Sequence, residues 1–155
     1  MNKKLAAFVT VLFAMACLAF SQSEFKKTKI NGYELSIPSD WVTQNGDGVI
    51  KWMIVSPDYM ANGNLVVEKL PSKMTPKEYL NATKSLLESS YEIEMIEEGN
   101  DYHIFDMTIQ GVAIREIQYV QIKGKTAYIT TFGTTDALFA KYLDTFKKIY
   151  SSIKF

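Results

Sequence analysis

Apolar and polar residues alternate along much of the chain, which is the pattern of half-buried β-strands. In residues 33–37, Tyr33, Leu35 and Ile37 share one side and polar residues occupy the other. Residues 49–55 are apolar almost throughout, which predicts a strand covered on both faces. The whole pattern predicts strands at residues 33–37, 49–55, 64–70, 91–97, 102–109, 112–122 and 126–132.

The last three predicted strands are joined by very short links that contain glycine. Gln110-Gly111 separates the first two, and Lys123-Gly124 separates the second from the third. Two-residue links with glycine are typical of tight antiparallel hairpins. We therefore expect an antiparallel meander in which Thr108 lies opposite Ala113.

Two segments have helical rather than strand spacing. Residues 75–78 (Thr-Pro-Lys-Glu) form a capping box with proline at the first helical position, so a helix is expected to begin near Pro76 and end at Ser89-Ser90. Its sheet-facing residues are predicted to be Tyr79, Leu80, Thr83, Leu86 and Leu87. A second helix is expected from 134–136, with an apolar stripe of Leu138, Phe139, Tyr142, Leu143, Phe146 and Ile149.

The chain opens with a positively charged pair followed by an apolar run. Lys3-Lys4 precedes the uncharged residues 5–20, and Ala19 and Ser21 are small residues just before Gln22. This is the pattern of a secretory signal peptide covering residues 1–21, cleaved after Ser21. The sixteen apolar residues extend about 24 Å as a helix, less than the roughly 30 Å hydrocarbon core of a bilayer. We therefore expect no transmembrane span after processing.

Cys17, the only cysteine, leaves a second processing route open. It follows Ala14-Met15-Ala16, and small residues before a cysteine are typical of bacterial lipoprotein signals, although Ala14 replaces the usual leucine. Acylation would keep Cys17 as a lipid-anchored first residue, whereas cleavage after Ser21 would discard it. The sequence favours simple export to the periplasm or the extracellular space. By either route the folded domain has no disulfide.

The charge and the length of the chain without its first 21 residues limit the functions and the number of domains that it can have. The full chain has 17 basic and 17 acidic residues, and its first 21 residues contain two lysines and no acid. The remaining charge of about −2 argues against nucleic acid, whose binding needs clustered lysine and arginine. The remaining 134 residues suit one domain. We expect a flexible leader at 22–28 and a single domain at 29–155.

Five segments carry a resemblance to a known family: 31–41 (NGYELSIPSDW), 64–68 (NLVVE), 74–80 (MTPKEYL), 125–130 (KTAYIT) and 146–153 (FKKIYSSI). Together with the order of predicted elements, they resemble the PsbP-like family, which includes the DcrB-type bacterial lipoproteins and the fungal Ran-binding protein Mog. The resemblance covers nearly all of residues 29–155.

The resemblance implies an α+β fold in which an antiparallel sheet of about six to seven strands is sandwiched between helices, an αβα arrangement. Members of the family mostly act as binding or assembly proteins with unrelated partners, so no functional residue is transferred. The expectation is an exported, non-catalytic binding protein of the cell envelope. Its partner would be an unidentified envelope protein, and no cofactor is expected.

An enzyme or a small-ligand carrier is the alternative reading. His103 is the only histidine and Arg115 the only arginine, and with Asp106 they would supply the polar groups of a cleft between sheet and helix. A buried structural histidine, and an ion pair of Arg115 with Asp106 or Glu116, explain the same residues without catalysis. No adjacent nucleophile or base partner supports the catalytic interpretation.

Acidic residues form one cluster at a predicted strand end: Glu92, Glu94, Glu97, Glu98 and Asp101. Carboxylate oxygens bind calcium, but a solvated strand face with a charged turn is the simpler interpretation. Residues 45–48 (Asn-Gly-Asp-Gly) lack the alternating acids and closing glutamate of a calcium loop. We therefore expect no metal site.

The predicted loop at residues 56–63 is the better candidate for contact with a partner. It places Tyr59 beside Met60 among turn residues, and both residue types are enriched where proteins meet. The alternative is that Tyr59 folds back as a lid on the sheet edge. Trp41 is a further binding candidate, for which burial in the core is the alternative.

Overall fold

The computed structural model describes residues 24–155, so the predicted signal segment and Cys17 lie outside the described residues. The described part consists of strands β1 (Phe25–Ile30), β2 (Tyr33–Pro38), β3 (Val42–Asn45), β4 (Ile50–Val55) and β5 (Ala61–Lys69), helix α1 (Pro76–Ser90), strands β6 (Ile93–Glu98), β7 (Tyr102–Ile109), β8 (Val112–Lys123) and β9 (Thr126–Thr135), and helix α2 (Asp136–Ser152).

Seven of these strands form one antiparallel sheet in the order β3-β4-β5-β9-β8-β7-β6. The strands β7, β8 and β9 are neighbours, and Thr108 pairs with Ala113, which confirms the predicted meander. Gln110 and Gly111 adopt positive φ values of 52° and 81°, as the tight turn between β7 and β8 requires. The α+β fold class is therefore confirmed.

Helix α2 and a separate two-stranded hairpin of β1 and β2 cover one face of the sheet, here called the α2 face. The interior contains Trp52, Phe132 and Phe146, all fully buried. The rings of Phe132 and Phe146 stack with centroids 5.0 Å apart. This larger of the two apolar clusters in residues 24–155 joins the sheet, the hairpin and α2 into one core.

Helix α1 covers part of the opposite face, here called the α1 face. The predicted capping box is present, because Thr75 accepts from the Glu78 backbone N–H and the Glu78 carboxylate accepts from the Thr75 N–H. Leu80 is buried over β8 and β9, but Leu86 is 65% exposed, so its predicted contact with the sheet is wrong. The helix extends beyond the area where the sheet offers it an apolar surface.

The segment expected to be a flexible leader is mostly a strand. Residues 25–28 belong to β1, which pairs with β2 in an antiparallel ladder. Asn31 and Gly32 have φ values of 48° and 92° and close the turn between them. The prediction of a leader is therefore wrong from Phe25 onwards, because β1 pairs with β2 along its whole length and ends at the buried Ile30.

Candidate functional site

The loop predicted to meet a partner is a compact turn between β4 and β5. The carboxylate of Asp58 accepts hydrogen bonds from the Ser56 hydroxyl at 2.6 Å and from the Met60 backbone N–H at 3.1 Å. The Ser56 hydroxyl in turn accepts from the Ala61 N–H at 2.9 Å. These bonds hold the pKa of Asp58 below its ordinary value, so the carboxylate stays charged while it organises the turn.

Two further bonds fix the turn to the rest of the protein. The Thr134 hydroxyl in β9 donates to the Met60 carbonyl at 2.7 Å, and the Tyr142 hydroxyl in α2 donates to Asp58 at 3.1 Å. The turn is thus held by its own side chains, by the neighbouring strand and by the helix.

The held turn projects apolar side chains outward. Tyr59 is 80% exposed and Met60 is 43% exposed, so Tyr59 is not a lid on the sheet edge. The φ of Tyr59 is 60°, a left-handed conformation that is uncommon for a bulky side chain. A strained, exposed tyrosine on an otherwise well-bonded turn is typical of a contact residue rather than of a packing residue.

Trp41 does not belong to this surface. Its side chain is only 5% exposed and meets the ring of Tyr142 edge-on, with centroids 6.2 Å apart. The candidate role of Trp41 in binding is therefore corrected to a core role, because its apolar surface is used between the sheet and α2.

His103, Asp106 and Arg115 do not share a cleft. Directly paired residues of neighbouring strands point to the same face of a sheet, and successive residues alternate. Asp106 pairs with Arg115 on the α2 face, whereas His103 points to the α1 face. The alternative cleft around His103 and Arg115 is therefore wrong, since the sheet itself separates the two side chains.

Arg115 has a structural role. Its Nε and second terminal nitrogen donate to the two carboxylate oxygens of Asp106, both at 2.7 Å. The remaining terminal nitrogen lies 2.7 Å from Asp136, the first residue of α2, and the guanidinium lies over the ring of Phe139. Arg115 thus connects two strands to the start of the helix. The expected ion pair with Asp106 is present.

His103 is 3% exposed on the α1 face. Burial lowers the pKa of its imidazole below the ordinary value, opposed by the nearby carboxylate of Glu98. The side chain is therefore neutral near pH 7. A buried neutral imidazole fits the structural interpretation better than a catalytic one.

A second polar site lies on the α1 face around Glu116. From the sequence, Glu116 was considered only as a partner for Arg115. Glu116 of β8 pairs with Gly133 of β9, which pairs with Asn62 of β5. On the other side Glu116 faces Phe105 of β7, which is fully buried. Burial raises the pKa of the half-buried Glu116 carboxyl to about 7.

The Glu116 side chain lies across Gly133. A methyl group placed on Gly133 would meet Glu116 Cγ and Oε1 at 3.4 Å each and Asn62 Oδ1 at 3.8 Å. The glycine therefore leaves a small notch with oxygens on two sides. The sequence carried a signal for this site, because Glu116 and Gln118 interrupt the apolar alternation of Val112, Ile114, Val120 and Ile122 along β8, and Glu116 is the charged one.

Comparison with known proteins identifies the fold through solved structures alone. No protein-family model and no curated protein matches the chain. Among solved structures, cyanobacterial PsbP (CyanoP) from Synechocystis sp. PCC 6803 matches with a TM-score of 0.60 and 11% identity, over 89% of this chain and 96% of that chain. The chain has the PsbP-like fold. The structure implied by the sequence resemblance is thus confirmed.

A second PsbP-like match extends the comparison. LpqN, described as involved in cell envelope biogenesis of Mycobacterium tuberculosis, matches with a TM-score of 0.52 and 11% identity. The alignment covers 84% of this chain and 90% of LpqN. The low identity to both proteins means that the shared property is the arrangement of strands and helices, and no side chain of a site is transferred.

Two members of the acidic cluster of this PsbP-like domain pair with other side chains. Glu98 forms an ion pair with Lys84 of α1, and Glu97 accepts a hydrogen bond from the Tyr102 hydroxyl. Within residues 24–155, no group of three histidine or acidic side chains is placed to hold a metal ion. Neither helix of that part is long and apolar enough to cross a bilayer.

Proposed function

We propose that this chain is an exported, non-catalytic protein of the cell envelope that binds another protein through the surface formed by Tyr59 and Met60, here called the Tyr59 tip. The single observation that carries the proposal is the contrast between the high exposure of Tyr59 and the number of bonds that hold its turn. An exposed aromatic side chain on a mobile loop would be a weaker indication of a binding surface, because the loop would have to be ordered on association.

The fixed turn favours tight binding on physical grounds. A partner that packs on Tyr59 does not have to order the backbone beneath it, because Asp58 and Thr134 already hold the turn. Conformational freedom that is already lost before association no longer opposes it. Tyrosine adds a large rigid apolar surface with a polar hydroxyl at its end, which explains its frequency at interface centres.

The envelope assignment is supported by the signal pattern of residues 1–21 and by the kind of proteins that share the fold. LpqN is described as involved in cell envelope biogenesis. The proposed location is the periplasm or the extracellular space, with a lipid anchor through Cys17 as the alternative. Intact-mass analysis of the protein from its native host distinguishes them, since secretion predicts a chain beginning at Gln22 and anchoring predicts an acylated chain beginning at Cys17.

The binding proposal is tested with the purified domain as bait in an extract of the host envelope. Replacement of Tyr59 and Met60 by alanine is expected to weaken retention of a specific protein by about five- to thirtyfold, the usual effect of removing interface anchors. The matched control replaces Leu86 and Tyr91, two other exposed apolar residues, by alanine. The control should keep the partner.

Thermal unfolding of each variant separates binding from folding. Exposed substitutions usually change stability by less than about 0.5 kcal/mol, so both double variants should unfold near the wild-type temperature. Equal retention by the wild type and by the Tyr59 and Met60 variant would refute the proposed surface. Unfolding of that variant would show that the two side chains stabilise the turn, which also contradicts the proposal.

A further inference from the structure

The carboxyl of Glu116 is half-buried without a positive partner. Burial is the one influence that shifts its pKa, and no cation of residues 24–155 offsets that burial. A desolvated carboxylate without a compensating partner is costly, because its charge has lost part of its hydration. Glu116 therefore stands apart from the other half-buried carboxylate of β7 and β8, Asp106, which is fully paired.

The basic groups that precede Glu116 in β8 or lie on the α1 side of the sheet at Lys84 and His103 are engaged elsewhere or uncharged. Arg115, the preceding residue, points to the α2 face and contacts Asp106 and Asp136. Lys84 of α1 is bonded to Glu98 at the end of β6. His103 shares the α1 face with Glu116 but is neutral near pH 7, because burial lowers the pKa of its imidazole. Residues 24–155 thus supply no counter-charge for Glu116.

The notch over Gly133 provides a place for an external group. Its floor is the glycine backbone, and Glu116 Oε1 and Asn62 Oδ1 lie on either side of the position that a methyl group on Gly133 would occupy, at 3.4 and 3.8 Å. Asn62 is exposed, so the notch is reached from solvent on the Asn62 side. Both flanking atoms are hydrogen-bond acceptors, and one of them carries charge when ionised.

We infer that this Gly133 notch binds a primary ammonium group, as presented by a lysine side chain of a protein partner. The notch adjoins the Tyr59 tip, because Asn62 lies two residues from Met60, but it is inferred from its own groups. An ammonium group is compact and has three donors, so it can contact Glu116 and Asn62 together while it supplies the missing charge.

Two other cations fit the notch less well. A guanidinium group is planar and gains most from a carboxylate that accepts two parallel bonds, whereas the Gly133 notch presents one carboxylate oxygen and one amide oxygen. Calcium takes six to eight oxygen ligands, and a single carboxylate with one amide falls short of that number.

The inference is tested with Nα-acetyl-lysine methylamide as the probe, followed through the backbone amide signal of Gly133 and the side-chain amide signals of Asn62. The neutral control is the same compound acetylated on its side-chain nitrogen. We expect saturable shifts at both residues with a dissociation constant on the order of millimolar. The neutral compound should leave both signals in place.

Two variants change the notch in different ways. Glu116→Gln removes the charge and keeps the shape, while Gly133→Ala keeps the charge and fills the space. The added methyl group would meet its nearest neighbours at 3.4 Å, an ordinary contact, so the alanine variant is expected to fold. Each should bind the probe at least tenfold more weakly than the wild type. Glu92→Gln, at an exposed carboxylate, is the matched control and should bind normally.

Several results would overturn the inference. These are equal binding of the charged and neutral probes, undiminished binding by both variants, or the absence of shifts at Gly133 and Asn62 up to about a hundred times the expected constant. Tighter binding of the equivalent arginine compound would assign the notch to a guanidinium group instead. Because the probe contains no partner protein, failure of the Tyr59 experiment leaves this outcome unaffected.

Discussion

The hydroxyl of Tyr142 donates a hydrogen bond of 3.1 Å to the carboxylate of Asp58, and so joins the middle of α2 to the turn between β4 and β5. The same tyrosine stacks on Phe146 and makes a T-shaped contact with Trp41. Its ring therefore belongs to the core while its hydroxyl reaches the candidate binding surface. A change in the packing of α2 would be transmitted to the Tyr59 tip through this residue.

Replacement of Tyr142 by phenylalanine should loosen the turn without disturbing the core. The ring contacts remain and one hydrogen bond is lost, which costs about 0.5–1.5 kcal/mol. Backbone amide exchange at Met60 and Ala61 should become faster, while exchange in β8 should change only by the global loss of stability. Unchanged exchange at the turn would show that Asp58 is held by Ser56 and the backbone alone.

Removal of Arg115 should destabilise the protein and leave partner binding intact. Arg115→Met leaves the half-buried Asp106 without its two donors, so we expect a loss of about 1–3 kcal/mol in urea unfolding. Addition of Asp106→Asn should then cost less than it does in the wild type, because the two side chains interact directly. Strictly additive losses would contradict a structural ion pair.

Replacement by alanine should cost much more stability at Gly63 than at Gly133, although the two glycines lie in neighbouring strands. A methyl group on Gly63 would lie 2.5 and 2.7 Å from ring atoms of Phe132, whose ring is buried and stacked on Phe146. Gly63→Ala should therefore cost about 1–3 kcal/mol through overpacking. Gly133→Ala meets its neighbours at 3.4 Å and should stay within about 1 kcal/mol of the wild type. Similar unfolding midpoints for the two variants would refute this distinction.

The Glu116→Gln variant should lose the dependence of stability on pH that Glu116 causes. Burial raises the pKa of Glu116 from 4.5 to about 7, so between these pH values the folded state holds a proton that the unfolded state releases. Stability contributed by this group is complete below pH 4.5 and is lost as the pH rises through about 7.

The measurement compares the unfolding free energies of the wild type and Glu116→Gln across that range. The wild type should lose about 1–3 kcal/mol relative to the variant between acidic and mildly alkaline pH. Parallel curves would show that the carboxyl ionises as freely in the folded protein as in the unfolded chain. Glu92→Gln is the control, and its curve should follow the wild type.

The elements with strong local signals were predictable. The capping box at Thr75 and the turn at Gln110-Gly111 fix their backbone through neighbouring residues alone, and both are present. The two-residue link at Gln110-Gly111 likewise predicted the antiparallel pairing of β7 with β8, which is present. Such features need no knowledge of the rest of the chain.

The elements without such signals were missed. The strand β3 is exposed at all four residues and so shows no alternation, although it pairs fully with β4. The strand β1 is rich in lysine, yet Asn31-Gly32 was a usable hairpin signal that implies a strand on each side. Strand β1 contributes Ile30 to the core beneath α2, and most residues of that core lie far from β1 in the sequence.

The candidate sites also differ in whether neighbouring residues of the sequence were enough to predict them. Tyr59 and Met60 were identified because aromatic and apolar residues in a turn are unusual. The notch over Gly133 was missed because it depends on the pairing of three strands, which brings Asn62, Gly133 and Glu116 into one row. The exclusion of a shared cleft for His103 and Arg115 follows from the register of β7 and β8.

The hairpin of β1 and β2 contacts residues 152–154, at and after the end of α2. The Ser36 N–H donates to the Ser152 hydroxyl at 2.8 Å across a separation of 116 residues, and Lys154 pairs with Glu34. Ile153 shares the core with Leu35. Closure of that core must therefore wait until residues 149–154 have been made, because they form one of its walls and contact a hairpin that was made more than a hundred residues earlier. Until then, the apolar side of the hairpin lacks its cover.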